Sequence, residues 1–178
     1  MAACGSPRIV ARPPSALPRA ASTVTATHHL GASASALSVS ADGERVAVAG
    51  RDLLRTLSVK AGPALADDLD LLQHTKKGPN HSSNDAQWYP HRPSQLVTGA
   101  TTGAVLLWDA AKAGSKLART LSVHTRAVNR VHFQPGESTR LLTGAKDCSV
   151  KLLDVGVRSV QQLAFATSAE VRRRPHSS

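Results

Sequence analysis

Two stretches of this chain match without a gap at a spacing of 45 residues: NDAQWYPHRPSQLVTGATTGAVLLWD (residues 84–109) and NRVHFQPGESTRLLTGAKDCSVKLLD (residues 129–154). Nine of the aligned pairs are identical, and they include the Thr-Gly-Ala run at 98–100 and 143–145. Each stretch joins a turn to an apolar run that ends in Asp. A unit is repeated in this way when it cannot bury its apolar face alone, so the self-similarity predicts stacked structural repeats.

The period and the end of the apolar run favour one architecture. Repeats of about 45 residues, with an apolar run ending in Trp108-Asp109, are typical of a WD-type propeller blade. Strands of five or six residues separated by turns, such as the loop through Pro90 and Pro93, fit an antiparallel sheet of four strands per unit. The predicted fold class is therefore all-β: a partial WD-repeat β-propeller of about three four-stranded antiparallel blades, with a disordered N-terminal leader.

Composition divides the chain into segments. The first 30 residues are rich in Ala, Ser, Pro and Thr and carry arginines but no acidic residue, which favours a disordered basic leader. A partial propeller follows, in which the first repeat is more divergent than the next two. After it the chain turns basic. The predicted divisions are a leader at 1–30, a propeller at 31–168 with blades at about 34–73, 83–122 and 127–166, and a truncated start of a next blade with a basic tail at 169–178.

Three blades are too few for a ring. Propellers of about four to eight blades close so that each blade face packs on the next. Three blades would leave an apolar face and unpaired strand edges in water, which promotes aggregation. We therefore expect the chain to be a fragment, a truncated gene model or a partial propeller completed by another chain. A monodisperse monomer of residues 28–178 that melts cooperatively would contradict this expectation.

Composition also limits the function classes. The formal net charge is +10, and Cys4 and Cys148 are the only cysteines, too few for a disulfide framework or a CxxC-type zinc site. No apolar run is long enough to span a membrane. The basic ends would suit nucleic acid or anionic lipid. With no groove-entering motif and 3% aromatic residues, we expect solvated ends and no specific nucleic-acid partner.

The polar residues of the repeats point to a structural network. In many WD blades a His, a Ser or Thr, a turn Asp and a Trp form a buried hydrogen-bond network, and buried polar groups need such partners. Neither repeat is complete, because Thr102 replaces the turn Asp in the second and Leu153 replaces the Trp in the third. We expect no catalytic, cofactor-binding or metal-binding residue, and no enzyme activity. The residues expected to form the structural blade network are His124, Thr143, Asp147, Thr98, Trp108, Asp109 and Asp154.

Three runs resemble one family in particular: VAVAGR at 46–51, LVTGATTGAVLLW at 96–108, and HTRAVNRVHF at 124–133 followed by Gln134-Pro135. They resemble the WD-repeat β-propeller subunit of the GATOR/SEA complex, which regulates TOR signalling at the lysosome or vacuole. The resemblance covers roughly residues 30–172. It implies a non-catalytic scaffold that binds other protein subunits and positively regulates TOR signalling in response to amino acids. It also implies a cytoplasmic location, peripheral to the lysosomal or vacuolar membrane through partners, and no cofactor.

The sequence departs from that family in one respect. The family's helical solenoid and zinc-binding RING-like module have no counterpart here, so no activity tied to the zinc module is expected. Fold alone does not establish function. Two alternatives therefore stay open: a generic WD-repeat adaptor of another pathway, such as ubiquitin ligation or trafficking, and a nucleic-acid or membrane-surface binder that uses the basic ends.

Overall fold

The computed structural model describes residues 26–59, 65–73, 75, 82–137, 139–156 and 162–165, with the backbone alone at Asp67 and at 162–165. The described part of the chain holds twelve β-strands. They are β1 (Ala34–Val39), β2 (Arg45–Gly50), β3 (Leu53–Val59), β4 (Leu65–Asp70), β5 (Ser83–Tyr89), β6 (Arg92–Ala100), β7 (Ala104–Asp109), β8 (Leu117–Ser122), β9 (Val128–Phe133), β10 (Arg140–Ala145), β11 (Val150–Asp154) and β12 (Gln162–Phe165). Most of the predicted leader, residues 1–25, and the predicted stub at 169–178 lie outside the described residues.

The strands form three antiparallel sheets of four strands, each made of consecutive strands. The first sheet has the order β1-β2-β3-β4, the second β5-β6-β7-β8, and the third β9-β10-β11-β12. The edge strands β1, β5 and β9 lie next to one another, so they are the inner strands of the assembly. The predicted all-β class, a partial propeller of four-stranded antiparallel blades, is confirmed.

The second sheet is buried on both faces. Successive side chains of a strand point to opposite faces, so the continuous apolar run of β7 supplies two cores. One face packs on the first sheet through Leu96, Leu106 and Trp108, against Ala47, Ala49 and Leu54. The other face packs on the third sheet through Val97, Val105 and Leu107, against Val128, Val131, Phe133, Leu141 and Leu153.

The two end sheets each turn a partly apolar face outward. On the first sheet Leu37 pairs with Val48 and Val39 pairs with Val46, so these four side chains share the face away from the second sheet. Leu37 is 64% exposed and Val39 is 55% exposed. On the third sheet Leu142 is 44% exposed. Among the described residues, the exposed large apolar side chains are Leu37, Val39, Val59 and Leu142, and all of them lie on the two end sheets.

One predicted loop is partly strand. The sequence predicts a loop through Pro90 and Pro93, but β6 begins at Arg92 and includes Pro93, so the prediction is wrong at Pro93. Tyr89 pairs with Arg92 and Trp88 pairs with Leu96, which leaves three residues of β6 opposite no residue of β5. A proline is tolerated in such an irregularity because its missing N–H is not needed for the ladder.

Gly99 and Gly144 hold the same position in the two repeats but meet different surroundings. A Cβ at Gly99 would lie 2.7 Å from Val128 Cγ1 and 3.2 Å from Val131 Cγ1. The inner strand β9 therefore packs directly on the backbone of β6, which only glycine permits. Among the described residues, a Cβ at Gly144 would meet no atom within 4 Å.

We expect Gly99→Ala to lower the free energy of unfolding by about 1–3 kcal/mol, the usual cost of overpacking, because Val128 is fully buried and β-branched. Gly144→Ala is the matched control. It should leave stability unchanged or raise it by up to about 1 kcal/mol, since alanine loses less conformational entropy in a strand. Urea unfolding of both variants measures the difference. Equal effects at the two positions would contradict the packing described here.

Candidate functional site

The inner strands are edge strands, and side chains of their neighbours satisfy their free backbone groups. An edge strand presents N–H groups that have no partner in its own sheet. Between the first and second sheets, the backbone N–H of Trp88 donates to Ser38 Oγ at 3.1 Å. The indole Nε1 of the same tryptophan donates to the Ser38 carbonyl at 3.1 Å. Trp88 thus joins the two sheets through both its backbone and its side chain.

The second and third sheets are joined by the same device. The backbone N–H of Val131 donates to Asp85 Oδ2 at 3.0 Å, and that of Phe133 donates to Gln87 Oε1 at 2.7 Å. Asn84 Nδ2 donates to the Val128 carbonyl at 2.8 Å. We call these contacts, together with those of Ser38, the inner-strand bonds. The sequence prediction missed them, although polar residues at alternate positions 85 and 87 of a buried strand were a usable signal.

His124 is the centre of the polar network of the third sheet. Its side chain is fully buried, and its Nδ1 lies 3.0 Å from Asp147 Oδ2. Its Nε2 lies 2.9 Å from Thr143 Oγ1. A carboxylate only accepts hydrogen bonds, so Nδ1–H is the donor to Asp147. The structure therefore brings together His124, Thr143 and Asp147 of the predicted set.

Asp147 accepts further hydrogen bonds from Ser149 in its own turn and from the backbone of Thr125. It accepts hydrogen bonds from the Ser149 hydroxyl at 2.7 Å, from Ser149 N at 3.1 Å and from Thr125 N at 3.1 Å. The Ser149 hydroxyl is the largest cause that holds the pKa of Asp147 well below its usual range, and the Thr125 amide and His124 act in the same direction against desolvation. Ser149 was not predicted, because its role depends on the turn geometry.

The second sheet has a smaller network. Trp108 Nε1 donates to Thr98 Oγ1 at 3.0 Å, and both residues are almost wholly buried. Thr102, at the position of the turn Asp, is exposed. His124 also reaches this sheet, because its backbone N–H donates to the Gly103 carbonyl at 3.0 Å. A Cβ at Gly103 would collide with the His124 carbonyl oxygen, so this approach requires glycine.

The remaining two predicted residues lie outside both networks. Asp109 Oδ1 accepts from Ala111 N at 3.0 Å, and Asp154 Oδ1 accepts from Gly156 N at 2.9 Å. Each carboxylate thus closes the turn that follows its strand, as Asp commonly does. The structure places them apart from His124 and Trp108.

The network is suited to stabilising the third sheet and its contact with the second sheet. The His124 ring is fully buried and flanked by Thr143, Asp147 and Ser149, so a substrate has no access to it. Among the described residues no group of three or more His, Cys, Asp or Glu side chains is placed to hold a metal ion. That part of the chain also contains no helix long and apolar enough to cross a membrane.

We expect Asp147→Ala to lower the free energy of unfolding by about 1–3 kcal/mol, because it removes the charged acceptor of the buried Nδ1–H of His124. Thr102→Ala, the exposed residue at the equivalent position of the second repeat, is the matched control and should change stability by less than about 0.5 kcal/mol. Thermal and urea unfolding measure both effects. An unchanged stability of the Asp147 variant would refute the structural role.

The low pKa of Asp147 also predicts a pH dependence. A carboxyl group whose pKa is lower in the folded state stabilises the fold above its unfolded pKa of about 3.9, and this stabilisation is lost as the pH falls further. The free energy of unfolding of the wild-type chain should therefore fall more steeply below about pH 4 than that of Asp147→Asn. Urea unfolding at a series of pH values measures the two curves. Parallel curves would contradict the prediction.

Comparison with known proteins finds a WD-repeat match and several similar proteins. Residues 115–154 match the WD domain, G-beta repeat family. The chain is 34% identical over 145 residues to the GATOR2 complex protein WDR24 of Danio rerio, which covers 81% of the chain and 18% of that relative. It is 32% identical over 132 residues to WDR24 of Dictyostelium discoideum (71% and 13%) and 33% identical over 128 residues to that of Homo sapiens (71% and 16%). The chain therefore spans less than a fifth of the length of these relatives.

The matched family segment coincides with the network. It begins just before β8, the outermost strand of the second sheet, and ends with β11, so it joins two sheets and contains His124, Thr143 and Asp147. The predicted resemblance to the WD-repeat subunit of the GATOR/SEA complex is confirmed by these similarities. The chain therefore contains WD repeats, and these repeats are similar to those of the GATOR2 complex protein WDR24.

Proposed function

We propose that this chain is a non-catalytic protein–protein interaction scaffold of a GATOR2-type complex, which positively regulates TOR signalling in response to amino acids. The relationship to WDR24 proteins supports the complex, and the resemblance of the repeats to that family supports the pathway. The mechanism is rigid display: the inner-strand bonds hold three sheets in register, and partner subunits bind the surfaces that the sheets present. A generic WD-repeat adaptor of another pathway is not favoured by the same relationship.

The observation that carries the proposal is the exposed apolar surface on the first and third sheets, which the inner-strand bonds hold to the second sheet. Large apolar side chains on an exposed sheet face mark interaction surfaces. Leu37 and Val39 form such a surface on the first sheet, and Leu142 lies on that of the third. Both faces of the second sheet pack against another β-sheet, so a β-sheet is a suitable neighbour for a face of this kind.

We infer that the occupant of the third sheet's face is another β-sheet. Gly99 leaves room for the inner strand of the following sheet, where Val128 fits against it. Gly144, at the same position one repeat later, leaves the same room open. The inner strand of a further sheet, with an apolar β-branched residue at the position of Val128, would fill it.

Further parts of the proposal concern organisation and location. The blades comprise about 34–73, 83–122 and 127–166, and the blade network of His124 and Trp108 has a structural role. The scaffold needs no cofactor. It is cytoplasmic and becomes peripheral to the lysosomal or vacuolar membrane through its partners. The alternative function is binding of nucleic acid or a membrane surface by the basic ends. It depends mainly on residues 1–25 and 166–178, which lie outside the described residues.

Affinity purification of the tagged chain from cells, followed by mass spectrometry, tests the proposal. Subunits of the GATOR2 complex should be recovered with the wild-type chain. Leu142→Lys should reduce their recovery by about fivefold or more, because it places a charge at an apolar contact. Glu137→Lys, at an exposed loop residue, is the control and should recover them as the wild type does. Recovery of ubiquitin-ligase or trafficking subunits instead would refute the assignment.

A further inference from the structure

The third sheet repeats, position by position, the face on which the second sheet carries β9. On the second sheet this face contains a row of paired residues that crosses β5, β6 and β7, namely Gln87, Val97 and Leu107. The residues 45 positions later form the same row across β9, β10 and β11, namely His132, Leu142 and Leu152. We call this face of the third sheet, which also contains Gly144, its far face. It therefore has the pattern of a face that accepts an inner strand.

The first residue of each row stands where a side chain accepts a hydrogen bond from the next inner strand. Gln87 Oε1 accepts from the backbone N–H of Phe133 at 2.7 Å. In the first sheet Ser38 Oγ accepts from the backbone N–H of Trp88, which aligns with Phe133, at 3.1 Å. His132 holds this position in the third sheet, and its side chain is exposed. His132 therefore stands in the place of an acceptor.

A histidine side chain can accept this bond in only one of its two charge states. The neutral imidazole has one nitrogen that accepts and one that donates, whereas the imidazolium ion only donates. Nε2 of histidine is separated from Cα by as many covalent bonds as Oε1 of glutamine, so His132 has a reach similar to that of Gln87. The acceptor is permanent at Gln87 and depends on pH at His132.

Within the described ranges, two arginines and two aspartates lie around His132. Arg130, two residues earlier on β9, lies on the same face, and its Nη1 is 3.7 Å from Asp85 Oδ1. Arg140 and Asp154 pair with each other at one end of the far face. Guanidinium and aspartate groups keep their charge between about pH 5.5 and 7.5, whereas histidine side chains change theirs in this range. His132 is therefore the pH-sensitive group among them.

We propose that neutral His132 accepts a hydrogen bond from the inner strand of a further β-sheet that packs on the far face, and that protonation of His132 weakens this packing. The strand on the equivalent face of the second sheet is β9, which contributes Val128, Val131 and Phe133. The occupant of the far face has the same spacing, Val-x-x-Val-x-Phe. Its first Val lies against Gly144, and the backbone N–H of its Phe donates to His132. The inference rests on the proposed function, in which another β-sheet occupies this face.

Protonation of His132 opposes this packing in two ways. The imidazolium ion offers no acceptor, so the N–H of the docked strand would be buried without a partner. The ion also adds a positive charge to a face that already carries Arg130 and Arg140, and packing removes the water around that charge. Neutral His132 has neither effect.

The test uses a peptide with no ionisable group. Acetyl-Ala-Val-Asn-Gln-Val-Gln-Phe-Gln-Pro-amide copies residues 127–135 with glutamine in place of Arg130 and His132. It is titrated into the isotope-labelled chain at about pH 7.5 and 5.5, on either side of the usual histidine titration. NMR follows the methyl signals of Leu142 and Leu152. A second peptide has N-methylphenylalanine at the Phe position and so lacks the N–H that His132 would accept.

Two histidine variants are compared with the wild type. His132→Gln gives the third sheet the residue that the second sheet has at this position, so the acceptor no longer depends on pH. His91→Gln, at an exposed histidine between β5 and β6, is the matched control. Thermal melting verifies that each variant folds. The methyl signals of Val97 should stay constant, which verifies that the peptide does not displace β9.

We expect the wild type and His91→Gln to bind the first peptide about threefold or more tightly at the higher pH. His132→Gln should bind it equally at both pH values. The N-methylated peptide should bind the wild type about threefold or more weakly at the higher pH. Equal wild-type binding at both pH values, a pH dependence that persists in His132→Gln, or no binding of the first peptide would overturn the proposal.

These measurements separate the role of His132 from the scaffold function. If His132→Gln removes the pH dependence of peptide binding but the wild type recovers no GATOR2 subunit from cells, the scaffold function fails and the role of His132 stands. If the wild type recovers those subunits but binds the peptide equally at both pH values, the role of His132 is wrong and the scaffold function stands.

Discussion

The inner-strand bonds are the interaction on which the rest of the structure depends. Each sheet has an inner edge whose backbone N–H groups find no partner within the sheet. Ser38, Asp85 and Gln87 accept those hydrogen bonds from the next inner strand. The bonds are directional, whereas the apolar contacts around them are not. Packing therefore brings the sheets together, and the inner-strand bonds set the register in which they meet.

The second and third repeats have the same backbone arrangement, but each contains only part of the polar network expected for a WD blade. The second repeat retains the Trp108–Thr98 pair and has lost the turn carboxylate, whereas the third retains His124 and Asp147 and has lost the tryptophan. Each half is satisfied on its own, since every buried donor named above has an acceptor. Buried polar groups are costly only when they lack partners, so half a network is stable if nothing in it is orphaned.

The architecture could be predicted from the sequence, whereas the contacts between sheets could not. The 45-residue period and the short strands separated by turns predicted antiparallel blades of four strands, as observed. Asp85 and Val131 meet across 46 positions, so their bond depends on how two sheets dock. Pro93 was misjudged because the irregularity that accommodates it is created by pairing with β5.

Because the second sheet is covered on both sides, the molecule behaves as a short linear array whose centre is held from two directions. Loss of either terminal sheet would uncover one face of the middle sheet and leave the other protected. Opening should therefore proceed inward from the ends, with amide protons of β6 and β7 exchanging with solvent last. A protease should therefore cleave the end sheets first. The part of the core that resists longest would contain Leu96, Val97 and Trp108.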